Sequence, residues 1–63
     1  VTAEQWNAKY PVGTPIAFFP IKGRMEHTDT KTCSEAWELG GGQVVVKIEG
    51  RAGGVAIQHC LPL

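Results

Sequence analysis

The sequence predicts a small all-β fold, a barrel of about five short strands behind one N-terminal helical turn. Three observations predict it. Runs of branched and aromatic residues such as "PIAFF" and "VVVKI" are separated by glycine-rich breaks, "GGG" and "GRAGG", that suit tight turns. Eight glycines and four prolines lie between the apolar runs, so the elements they join are short. A chain of 63 residues with 43% hydrophobic composition builds one small core and is too short for a two-sheet sandwich of ordinary size. Closing into a barrel lets such strands remove their own edges. The chain is therefore read as a single domain, 1–63, with a helical cap over 1–11 and the barrel over 12–63.

"TAEQWNAKY" opens with Thr2 and carries Gln5 three residues later, the pattern of a capping box. Pro11 restricts Tyr10 and ends the run, which predicts a helix over residues 3–9. Trp6 and Tyr10 are four apart and share one face, expected to lie across an open end of the barrel. "TPIAFFP" follows the Gly13 turn as a strand, with Ile16 and Phe18 inward and Ala17 and Phe19 on the other side. The segment "KGRMEHTDTK" has no apolar period and reads as a long polar loop.

"TDTKTCSEAWEL" alternates hydroxyl residues with Cys33, Trp37 and Leu39, which predicts a long strand with its apolar side inward. Glu35 falls on that apolar side, so a bulge or bend is expected near Ser34. After the "GGG" turn, Val44, Val46 and Ile48 share one face of the next strand. "VAIQHC" reads as the last full strand, with Val55 and Ile57 inward and a closing 3₁₀ turn through His59 to Leu61. Trp37 is expected in the core.

Turn spacing over residues 12–63, from "VGTPIAFFP" through the "TCSEAWEL", "QVVVKIEG" and "VAIQHC" runs, resembles the SH3-like barrels. It is similar to the compact barrels of phages, plasmids and gene cassettes, and "GGVAI" resembles a late strand of the plasmid type II dihydrofolate reductases. Those enzymes carry "VQIY" there and build one pore from several copies. The matching positions here are Val55, Ala56, Ile57 and Gln58, with both polar members replaced, so the resemblance implies the fold and does not carry the activity. An "ALYDY"-like strand and an "SNY"-like turn are absent, which argues against the usual proline-rich peptide recognition.

Six basic and six acidic residues cancel, so the chain lacks the broad positive field of non-specific nucleic-acid binding. Nucleic-acid binding would need Lys22, Arg24, Lys31, Lys47 and Arg51 on one face. No apolar run is long enough for a membrane span and no signal peptide is visible, which predicts a cytoplasmic location. Cys33 and Cys60 are expected as reduced core thiols. His27, Cys33, His59 and Cys60 are metal-capable types at a spacing unsuited to a tetrahedral site, so neither metal nor cofactor is expected. Glu35, Glu38 and Glu49 show no pairing, and a monomer this small is expected to offer little concavity for catalysis.

The expectation is a non-enzymatic interaction module that binds a protein, acting as a monomer or small homo-oligomer; the alternatives are an oligomeric enzyme subunit and a nucleic-acid-binding barrel. Its site is expected in the loop Lys22–Thr30 and its neighbours. Phe19 would anchor beside the charges of Arg24 and Glu26, with Arg51 and Trp6 as further contacts.

Overall fold

The computed structural model describes residues 2–21 and 23–63, which leaves Lys22 outside the described residues. The chain runs through a helix α1 (Ala3–Lys9) and strands β1 (Pro15–Phe18), β2 (Thr28–Lys31), β3 (Trp37–Glu38), β4 (Val44–Lys47) and β5 (Gly54–Ala56). A 3₁₀ turn (Ile57–His59) then leads directly into β6 (Cys60–Pro62). The strands form two antiparallel three-stranded sheets, ordered β2-β1-β6 and β3-β4-β5. The expected helix and its capping box are both present: Gln5 N–H donates to Thr2 Oγ1, and Gln5 Oε1 accepts from Thr2 N–H.

The two sheets meet at one corner because the long polar strand bends. Beyond β2, Thr32 bridges Ile48, Cys33 N–H donates to the Lys47 carbonyl and Glu49 N–H to that of Lys31. At Ser34 the ladder breaks, and the Ser34 hydroxyl takes over by accepting from Lys47 N–H at 3.2 Å. The bend that Glu35 called for is therefore real, and a side chain supplies the bond that the interrupted backbone cannot.

The alternation keeps one parity through this bend, but its inward face is the opposite of the one expected. Thr32 and Ala36 are buried, while Cys33, Trp37 and Leu39 are exposed. The expected inward apolar side of this strand is thus inverted, and Trp37 and Cys33 are not core residues. Thr32 tolerates burial because its hydroxyl accepts from Gly13 N–H and Thr14 N–H at 3.0 and 3.2 Å.

The core holds Ile16, Phe18, Val44, Val46 and Ile48 as expected, joined by Ala36, Cys60 and Trp6. Val55 and Ile57 pack against it but are only partly buried. "VAIQHC" is accordingly no continuous strand: it leaves β5 at Ala56, makes the 3₁₀ turn over Ile57–His59, and restarts as β6 against β1. Val45 is buried on the outer side of β4, beneath Trp37, its cross-strand partner. Among the described residues no helix is long and apolar enough to cross a membrane.

Candidate functional site: a groove between the helix and the second sheet

Helix α1 is too short to be stable alone and is held by tertiary contacts. Asn7 fastens it to the strand segment at Ala36, and Trp6 is driven into the core at 5% exposure. Because one face of α1 is committed in this way, a groove of about 530 Å³ remains between the helix, β4 and the 3₁₀ turn. Its apolar lining is Trp6 and Tyr10 from the helix end, Val44 from β4 and Ile57 from the turn. The two aromatic rings meet at 4.6 Å between centroids with planes tilted by 54°.

Polar groups line the same groove. Gln5 and Lys9 come from α1, Gln43 from the residue before β4 and Gln58 from the 3₁₀ turn. Gln5 has its carboxamide oxygen committed to the capping box, which leaves its NH₂ for other partners. Lys9 Nζ lies 5.8 Å from the centroid of the Tyr10 ring. Gly42, at φ 82°, turns the chain back so that Gln43 and Val44 enter the groove wall. The chain therefore has more concavity than its size led us to expect. Among the described residues the lining has no His, Cys, Asp or Glu; it offers contacts and hydrogen bonds from Gln5, Lys9, Tyr10, Gln43 and Gln58.

The residues singled out from sequence fall in several places. Trp6 is buried rather than a surface contact, though it forms part of the groove lining. Phe19 is partly buried, 5.0 Å from the His27 ring, and its backbone is tied to His59 twice. Phe19 N–H donates to the His59 carbonyl at 2.8 Å, and the Phe19 carbonyl accepts from His59 Nδ1 at 2.7 Å. Arg24 and Glu26 pair with each other at 3.0 Å on the loop surface. The Arg51 guanidinium sits 4.6 Å from the centroid of the Phe18 ring and lines a smaller depression of about 180 Å³ with Thr28 and Thr30. His27 Nε2 lies 3.4 Å from Asp29 Oδ1, and Met25, with Ile21 just ahead of the loop, is an exposed apolar residue.

The cationic residues are likewise dispersed. Arg24 is beside Glu26, Lys31 is 3.6 Å from Glu49, and Lys47 is on the outer side of β4. Among the described residues no three His, Cys, Asp or Glu side chains come together. Cys33 is exposed and Cys60 buried, both as free thiols; burial raises the Cys60 thiol to about 11.

One wall of the groove, the Trp6–Tyr10 face, is legible in the sequence. Gln43 and Gln58 are separated along the chain and meet there only because β4 and the 3₁₀ turn pack side by side, which no local pattern announces. The chain matches no protein-family model, no curated protein and no solved structure.

Proposed function

We propose that this chain is an SH3-like barrel acting as a non-enzymatic interaction module, and that it holds an extended segment of a partner protein in the groove beside α1. The barrel reading is supported by the strand order: β2 and β3, joined through the bend at Ser34, lie in different sheets, and a 3₁₀ turn precedes the last strand. The observation that carries the function is the groove's composition, an apolar floor of Trp6, Tyr10, Val44 and Ile57 edged by the carboxamides of Gln5, Gln43 and Gln58. Carboxamides match the alternating N–H and C=O groups of an extended backbone, while the apolar floor takes alternate side chains.

The test is selection of a random peptide library on the immobilised chain, followed by amide chemical-shift mapping with the selected peptides. Shifts should concentrate at Gln5, Tyr10, Gln43 and Gln58. Shifts confined to residues 23–28 and Arg51 would place docking on the polar loop instead.

A further inference from the structure

We infer that the segment held in the groove carries a carboxylate, which is bound at Lys9; this rests on the groove being the docking site. Among the described residues, Lys9 is the one Lys or Arg side chain that lines the groove, and no Asp or Glu lines it. Its charge is not spent elsewhere: Arg24, His27 and Lys31 each lie beside an acidic side chain, whereas Lys9 has no carboxylate within ion-pair distance among the described residues. Its ammonium nitrogen lies over the Tyr10 ring, 5.8 Å from the centroid, which sets the charge beside the aromatic floor of the groove.

The hydrogen-bonding capacity of the groove points the same way. The Gln5 oxygen is occupied by Thr2 N–H, so Gln5 meets a ligand as a donor through its NH₂. Gln43 and Gln58 are exposed and turn either way. The groove therefore holds an ammonium and a committed amide donor against no committed acceptor. An acceptor-rich, singly negative group complements that set. A polyphosphate or nucleic-acid backbone would need several cations in a row, and the groove provides one in a chain whose net charge is zero. The segment lies extended along the groove with its backbone against the carboxamides, so the carboxylate is an Asp or Glu side chain rather than the end of a chain.

The experiment displays the random library in two formats, one with free C-termini and one with the C-termini blocked, and selects each on the parent chain and on Lys9→Gln. Enrichment of Asp or Glu in both formats is the expected result; binding that requires a free C-terminus would overturn the side-chain carboxylate. Lys9→Gln should weaken the selected peptides roughly fivefold and abolish the charge preference, while melting within a degree or two of the parent. Groove-bound peptides with no carboxylate preference, or equal affinity for the variant, would overturn the carboxylate and leave the groove standing. If no selected peptide shifts the groove amides, both readings fall.

Discussion

The carboxamide of Asn7 pairs with both backbone groups of Ala36: Nδ2 donates to the carbonyl at 3.0 Å, and Oδ1 accepts from the N–H at 2.7 Å. One side chain thus does for the chain just ahead of β3 what a neighbouring strand would do, and it fixes the helix that forms one wall of the groove. Asn7→Ala leaves a partly buried donor and acceptor without partners, at a cost of about 1–3 kcal/mol. For a domain of this size each kcal/mol lowers the melting temperature by about 4–8 °C. Asn7→Asp keeps the acceptor for Ala36 N–H but sets a carboxylate oxygen against the Ala36 carbonyl, so it should not rescue. Thermal melts of the two variants check this; an Asn7→Ala protein as stable as the parent would show that α1 is held by Trp6 alone.

A second contact couples Trp37 to Gly54. A Cβ placed on Gly54 would fall 2.8 Å from Trp37 Cη2 and 3.0 Å from Val45 Cγ2. This glycine is required for space: the indole lies across β4 and rests on β5. Gly54→Ala should lift the ring and cost about 1–3 kcal/mol by overpacking. Removing the ring should relieve the clash, so Gly54→Ala costs less in a Trp37→Ala background. A double-mutant cycle by denaturant unfolding measures the coupling, and strict additivity would count against the contact.

How much of this was legible in the sequence follows from how local each signal was. Thr2 and Gln5 announced the start of α1 because a capping box is completed within one turn, and Val44, Val46 and Ile48 announced their face by simple alternation. From Thr32 to Trp37 alternation persists through the bend at Ser34, but the inward face is the one carrying Thr32 and Ala36, and the larger apolar Trp37 lies outward with Cys33 and Glu35. Trp37 is large and apolar, and only the bare backbone of Gly54 allows it to lie on the outside of a sheet. Trp6 went the other way, into the core, because the helix needs an anchor. The groove was legible only at its Trp6–Tyr10 wall, since its remaining lining comes from elements brought together by tertiary packing.

Thr32 is a sharper test of buried polarity. Thr14 N–H donates to its hydroxyl, and the same oxygen accepts from Gly13 N–H. Thr32→Val is nearly isosteric and should still cost about 0.5–1.5 kcal/mol for the hydroxyl's lost bonds, while Gly13 N–H keeps the Thr32 carbonyl and Thr14 N–H the Pro11 carbonyl. Thr32→Ser keeps the oxygen and should retain most of the stability. If Val and Ser variants melt together, the hydroxyl contributes nothing and packing alone holds this corner.

The two thiols should separate by reactivity. Exposed Cys33 is expected to take up iodoacetamide at neutral pH, and buried Cys60 only after unfolding, which mass spectrometry counts directly. Burial raises the Cys60 thiol from 9.0 to about 11, so between those values the folded chain keeps a proton that the unfolded chain releases. The unfolded state binds fewer protons in that window, and stability must fall as pH rises from about 9 toward 11. Cys60→Ser has no group titrating there and should lose this part of the alkaline dependence. Denaturant midpoints for the pair of proteins across the window decide the matter, and parallel curves would assign the alkaline loss to other groups.

The polar loop and the groove make opposite predictions when the loop is shortened. Pairing of β1 with β2 is complete from Pro15↔Lys31 to Phe18↔Thr28, so the hairpin is registered before the loop begins. Phe19 is then held by the backbone of His59 and by its ring nitrogen, neither of which belongs to the loop. Residues 23–27 add chiefly the surface pair Arg24–Glu26 and the contact of His27 with Phe19. An exposed ion pair contributes at most about 1 kcal/mol, and a shorter loop is slightly cheaper to close. Replacing residues 23–27 with a short glycine turn should therefore leave the fold intact, with a melting temperature within about 8 °C of the parent. Peptides selected on the parent should bind the shortened chain with unchanged affinity, because none of the groove lining is touched. Calorimetric titration of both proteins reads this directly. A shortened chain that folds but no longer binds would move the docking site to the loop, with Met25 and Ile21 as its apolar contacts.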